Sequence, residues 1–481
     1  MDQSPSSSVP LWLASIGLAA LATWICFDAM PGINWLIWTA AAAGALIFFT
    51  RVRRTDGRLV EVLAATAVIA SGSAAVSDSP INNLAAAFLV IVLLAMAMLL
   101  AAGPWIRRIT AGFAIAAPIL AASNAVVSAF GSASDATQRV RSPAARGALR
   151  GAAITLPVVI VFALLLSVAD PTFALWRNTI RDLVADWDFV PRTIFFVAML
   201  VLSLGALSYA ALSPDETEPG HMEPRRWMGS TERLILLGSI AALLWIFLAV
   251  QISYLFGNLP QVTGSGMTFA EYARRGFGEL TVVASATTLL IIASERYGVR
   301  DERHRMTRFV TFAAIGAVAF LLFSAFNRVL LYEAAYGFTT SRLYAQAFML
   351  IVGIGVTALT VEVARELDPG RLFRRVGTGA VIVLIGLCYW NTDAWIARKN
   401  IDRLAVTGKL DVNYLVRDLS LNAVPTIIAE LPRMSEPTRT ELVQQLQRRY
   451  TRRESSFARR WFEANLRRDA ARRALKTLGI S

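Results

Sequence analysis

The chain has 481 residues, 56% hydrophobic and only 17% charged, below the roughly 25% of soluble domains, which excludes an ordinary soluble protein. Two cysteines, Cys26 and Cys388, both in apolar runs, exclude a disulfide framework, and two histidines, His221 and His304, in separate charged loops, leave no donor set for a metal; no cofactor is expected. The net charge of +13 is read as loop arginine that sets membrane topology, so no nucleic-acid partner is expected.

Apolar runs of spanning length occur near 11–27, 33–50, 59–76, 84–102, 151–169, 192–212, 234–256, 280–294, 309–327, 343–361 and 377–391. A bilayer core about 30 Å thick takes roughly 20 residues as a helix. Only helices and closed barrels satisfy their backbone there. The expected fold class is all-α: a polytopic transmembrane helical bundle of about 11 spans with a small C-terminal helical tail. The first residues, MDQSPSSSVP, carry no Lys or Arg, unlike a secretory leader, so 11–27 reads as a retained helix.

Residues 1–150 form an N-terminal membrane region with about four spans and one further apolar segment, 109–130 (ITAGFAIAAPILAASNAVVSAF). Arginines crowd both sides of that segment: Arg107 and Arg108 before it, Arg139, Arg141, Arg146 and Arg150 after it. A crossing would put one group outside, so a non-spanning element is expected, with Pro118 permitting a break. Residues 151–391 form the core membrane region with about seven spans. Alternate loops hold 22 arginines on one side and 6 on the other, which puts the N-terminus in the cytoplasm and, with an odd number of spans, the C-terminus outside.

Polar groups inside spans are costly and mark candidate sites. Glu61 near the inner interface and Gln251 and Tyr254 near the outer end of their span read as structural. Loop 169–191, with Asp170, Asp182, Asp186 and Asp188, reads as an interfacial amphipathic helix anchored by Trp176 and Trp187. Its acids also fit the outer loops of membrane glycosyltransferases.

Two outer-face segments are richest in chemistry. TFAEYARRGFGEL (268–280) carries Glu271, Tyr272, Arg275 and Glu279, and NRVLLYEAAYGFTTSRLYAQ (327–346) carries Arg328, Tyr332, Glu333, Tyr336 and Arg342. Their i,i+4 spacings pair Glu271 with Arg275, Arg275 with Glu279, and Tyr332 with Tyr336. Gly337 is expected to end one helix, and Thr339 or Thr340 to cap the next. The two segments are expected to pack around one shared polar site: either a pocket able to clamp an anionic group, since arginine matches phosphate and carboxylate geometry, or a salt-bridge and aromatic-belt lattice that orders the helix ends.

The tail, 392–481, holds 18 Lys and Arg. Thr438 and Glu441 after Pro437 suggest a capping box, followed by basic amphipathic helix. Its expected partners are anionic lipid headgroups or an acidic protein, beside the membrane lipids around the bundle.

Segments 268–280 and 327–346, with NTDAWIARKNIDR (391–403), GKLDVNYL (408–415) and LNAVPTI (421–427), resemble the bacterial inner-membrane proteins of the domain-of-unknown-function 4153/4173 family over roughly residues 190–430. The resemblance implies a multi-pass protein of the bacterial inner membrane with a short tail after the last span. It implies no activity, cofactor or catalytic residue.

Phosphate-loop, H-E-x-x-H and G-x-S-x-G patterns do not occur in the chain. The expected function is therefore non-catalytic: binding, transport or assembly at the cell envelope through the outer polar site. The alternative is a membrane transferase acting on a lipid-linked envelope substrate.

Overall fold

The computed structural model describes residues 8–53, 57–103, 106–137, 189–213, 226–255, 269–299, 304–365, 367–450 and 460–479. The expected span at 151–169, the acids of loop 169–191 and His221 lie outside these residues. Among the described residues, ten helices are long and apolar enough to cross a membrane, and Val9–Ile25 is a shorter apolar helix. The chain is a polytopic all-α membrane protein. Cα packing divides it into two units: Met1–Ile106 with Gly112–Glu218 and Ser455–Asp469, and Arg107–Ala111 with Pro219–Glu454 and Ala470–Ser481.

The first unit holds α1 (Ser8–Ile25), α2 (Ile33–Arg53), α3 (Arg58–Gly72), α4 (Pro80–Leu100), α5 (Ala111–Thr137) and α6 (Phe189–Leu212). The α1–α2 turn is organised by buried Asn34, whose amide donates to the carbonyls of Ile25 (2.9 Å) and Met30 (3.1 Å) and accepts from Gly32 N (2.8 Å). Glu61 pairs with Arg51 at 2.7 Å across the α2–α3 loop, the structural role expected of it.

α5 runs without a break through Pro118, and Ala111–Ser132 is long and apolar enough to span. Its buried stripe is Ala117, Ala121, Ala125 and Ala129, while Ile115, Ile119 and Val127 are exposed. The stripe meets α6 where Gly205 lies on the Ala125 backbone. Seven residues further along α5, the Ser132 hydroxyl donates to Ser208, only three residues further along α6, at 2.8 Å. The glycine approach and the serine pair thus hold α5 on α6 at two points.

The C-terminal segment 460–469 belongs to this unit. Asn465 Nδ2 donates to the carbonyls of Ala74 (2.7 Å) and Ser77 (3.0 Å). Arg468, almost fully buried, donates to Asp78 (2.8 Å from Nε) and to the Pro31 carbonyl (3.0 Å). Burial pushes the Asp78 carboxyl above its ordinary range, against the pull of the Arg468 guanidinium. Trp24, Trp461 and Phe462 pack edge to face at the same end of the unit.

The second unit holds α7 (Ser230–Leu255), α8 (Phe269–Tyr297), α9 (His304–Tyr336), α10 (Thr340–Ala364) and α11 (Pro369–Tyr389). Leu237 and Leu248 of α7, Leu280 and Ile291 of α8, Leu321 and Val329 of α9, and Met349 and Leu359 of α10 share one dry core. Ile235, Leu243, Phe309, Phe323 and Ile382 point outward and exposed, as lipid-facing side chains do. α11 starts on a side-chain cap: Asp368 accepts from Gly370 N (2.9 Å) and Arg371 N (3.2 Å).

Beyond α11 the chain folds back as α12 (Thr392–Thr407), a π turn at Tyr414–Asp418, α13 (Val424–Glu430) and α14 (Glu436–Tyr450); α15 (Leu466–Lys476) lies near the C-terminus. Asn391 caps α12 by accepting from Ala394 N at 3.2 Å, and buried Asp393 accepts from both N and Oγ of Ser420. The expected capping box is displaced. α14 begins at Glu436, ahead of Thr438, because Pro437 fits the first helical turn and Glu436 meets the positive end of the helix.

Candidate functional site at the turn between α9 and α10

The α9–α10 turn is built on two chemical necessities. α9 ends at Tyr336 and Gly337 takes a left-handed φ of +86°, its N–H donating to the Glu333 carbonyl at 2.8 Å. This is the C-cap read from the sequence. Thr339 stands at the N-cap of α10, but its side chain makes no cap hydrogen bond. The Tyr414 hydroxyl from the tail replaces it, accepting from Thr340 N at 2.7 Å and lying 3.1 Å from Thr340 Oγ1. Burial raises the Tyr414 phenol above its ordinary value, with the two Thr340 contacts pulling the other way.

Asn400 of α12 zips onto the same turn, its amide accepting from Phe338 N and donating to Phe338 O, both at 2.8 Å. Arg403 donates through Nε to the Ala334 carbonyl at 3.1 Å and through a terminal nitrogen to Ala335 O, closing the end of α9. Cations there also complement the helix dipole. Arg342 donates to the Gly337 carbonyl, and its guanidinium lies 4.0 Å from the Tyr332 ring centroid. Tyr332 and Tyr336 pack with centroids 5.0 Å apart.

These contacts frame an open cleft of about 670 Å³. Its walls combine Tyr332, Tyr336 and Tyr414 with Arg342, Arg403 and Lys409, and its rim carries Asp411, Asn413 and Glu441. Trp395 packs between Phe338 and Trp390 beside it, with ring centroids 5.2 and 5.5 Å away.

The residues expected from sequence fall into three groups. Tyr332, Tyr336 and Arg342 line the cleft. Glu333 is buried behind it, accepting from Gln346 at 2.7 Å, and Arg328 is buried one turn earlier on α9. On α8, Glu279 is exposed and outside the lining, and the side chains of Glu271, Tyr272 and Arg275 lie outside the described residues. The backbones of α8 and α9 do pack, Leu280 against the cluster that holds Val329.

Asn400, Arg403, Lys409, Asp411, Asn413 and Tyr414 were not foreseen as site residues, although the segments NTDAWIARKNIDR and GKLDVNYL that contain them carried the family resemblance. The ion pairs at the opposite helix ends were missed as well. Fully buried Arg233 pairs with Glu295, which also accepts from Thr311 at 3.1 Å. Buried Glu362 takes Arg371 at 2.7 Å and Arg375 at 2.6 Å. Each charge has its counter-charge, as burial in a membrane bundle demands.

Residues 40–430 match the family described as Domain of unknown function (DUF4153). The chain belongs to the DUF4153 family. The match reaches into the N-terminal region, well before residue 190 where the resemblance was first legible, and it covers every lining residue named above except Glu441. No curated protein and no solved structure matches the chain. Among the described residues, no group of three or more His, Cys, Asp or Glu could hold a metal ion.

Proposed function

We propose that this DUF4153 chain is a non-catalytic binding protein of the bacterial inner membrane, serving transport or assembly at the cell envelope, and that it holds its ligand in the outer cleft. The observation that carries this is pre-organisation. Arg342, Arg403, Asn400 and Tyr414 are all fixed by backbone hydrogen bonds around an open space of about 670 Å³. A concave, preformed site with a few converging polar groups loses little entropy on binding. The arginine asymmetry of the loops supports a cytoplasmic N-terminus and an external tail. Exposed Arg473 and Lys476 of α15 are proposed to meet anionic headgroups or an acidic partner.

The test is a photo-crosslinking amino acid at Tyr336, which is 50% exposed at the cleft, with Ile382 on a lipid-facing flank as control. Irradiation of native membranes is expected to give an adduct at 336 that differs in mass from those at 382. Identical adducts at both positions would remove the cleft as a ligand site.

A second reading, a membrane transferase on a lipid-linked envelope substrate, draws on the two rim carboxylates, Asp411 and Glu441. Lipid analysis of a deletion strain separates the two. Loss of one modified lipid supports the transferase, and an unchanged profile supports binding.

A further inference from the structure

The cleft sets three kinds of chemistry side by side. Arg342 and Arg403 are held in place by carbonyl acceptors that use only some of their N–H donors, and exposed Lys409 adds a third cation. A guanidinium carries five donors in a planar fork that matches phosphate oxygens. Tyr336 offers an open ring at the rim, backed by Tyr332. Asp411, Asn413 and Glu441, all exposed at the opening, are acceptors for hydroxyl groups, Asp411 having one oxygen on Tyr414 N at 2.9 Å.

A bare multivalent anion fits this poorly, because the two carboxylates oppose it. An apolar ligand fits it poorly as well, because the cations would lose water without a partner. A ligand with a phosphate at one end and a hydroxylated ring at the other satisfies every group: phosphate on the cations, the C–H face of the ring on Tyr336, hydroxyls on the acids and Asn413. Resting on the binding reading above, we propose that the cleft recognises a sugar phosphate headgroup, free or lipid-linked. The exposed Leu330 and Leu331 on the last turns of α9 give a lipid-linked form a path for its chain.

The experiment uses the full chain in phosphatidylcholine nanodiscs. Glucose 1-phosphate, glucose and inorganic phosphate are titrated separately, and a prenyl-phosphate-linked glucose is tested within the disc. Saturable binding is expected for at least one phosphosugar, tighter than for glucose or phosphate alone. Lys409→Glu is expected to weaken it about tenfold, the size of one charge-assisted contact, and Tyr336→Ala several-fold. Neither residue holds the turn, so both variants should melt as the parent does. Binding of the lipid-linked form alone assigns the lipid source, and binding of both assigns the shared headgroup. Equal binding of phosphate and phosphosugar, or phosphosugar binding indifferent to both substitutions, overturns the proposal. A phosphorus-free adduct at position 336 would overturn the ligand class and leave the cleft standing as a binding site.

Discussion

Gly337 shows how one backbone angle positions the site. Its φ of +86° lies where a side chain is strained, and a Cβ there would sit 2.6 Å from Asn400 Oδ1. Gly337→Ala must therefore carry the left-handed penalty, about 1–2 kcal/mol, and displace the amide that zips Phe338. The expected loss is at least about 2 kcal/mol in chemical denaturation, together with a weakened cleft. That glycine was legible from the sequence because a helix C-cap is a local requirement. Tyr414 was not, because its partner Thr340 is 74 residues away and no periodicity links them. Tyr414→Phe should cost about 1–2 kcal/mol, the worth of a helix N-cap acceptor. The pH dependence has a definite sign. The buried phenol titrates above the ordinary 10.0, so the unfolded chain releases its proton first. Stability from the neutral phenol is complete below pH 10 and falls as pH rises through the folded value. The gap between the parent and Tyr414→Phe should therefore narrow in alkaline denaturation series.

At the scale of elements, the apolar runs foretold helices because length and hydropathy are what a bilayer selects. Element starts were less legible: both the box at Thr438 and the unbroken passage of α5 through Pro118 depend on neighbours. A prolyl residue in a membrane helix persists where packing compensates its lost hydrogen bond. For α5, that packing is the alanine stripe against Gly205. We keep the proposal that α5 is a non-spanning element, supported by the arginines on both sides. A Cβ on Gly205 would fall 1.8 Å from the Ala125 carbonyl oxygen, and no rotamer relieves a backbone clash. Gly205→Val should therefore lift α5 off α6. In a Ser132→Cys, Ser208→Cys background, oxidation should form a disulfide rapidly, since the native hydroxyls lie 2.8 Å apart. Adding Gly205→Val should slow that reaction strongly while leaving expression intact. An unchanged rate would mean the crossing is held by something other than the glycine.

For the molecule as a whole, the sidedness proposed for the tail is supported by packing inside each unit separately. In the first, Asn465 and Arg468 bind the α1–α2 turn and the loop between α3 and α4, at Pro31, Ala74, Ser77 and Asp78. Two helices of spanning length, α2 and α3, run away from these loops to the arginine-bearing stretch 51–58 at their other ends. In the second, Asn400 and Tyr414 bind the α9–α10 turn, and α10 and α11 meet at their other ends beside Arg371, Arg374 and Arg375. Both units thus set tail residues against arginine-poor loops. The division of the tail between two units was not legible, because single Asn and Arg contacts across some 390 residues leave no pattern. The prediction is that the tail is extracytoplasmic, opposite to the N-terminus. Alkaline phosphatase fused at residue 481 should be active and a fluorescent protein fused there dark, with the reverse result at the Arg53–Arg58 loop. Arg468→Ala should leave that sidedness unchanged, since it is set by the spans. The same substitution should expose the tail to added protease, because Asp78 and the Pro31 carbonyl then lose their partner and the segment its hold. A fluorescent fusion at 481 with no phosphatase activity would require an even number of crossings, reached either by counting α5, which is long enough to span, or by dropping the candidate at 377–391.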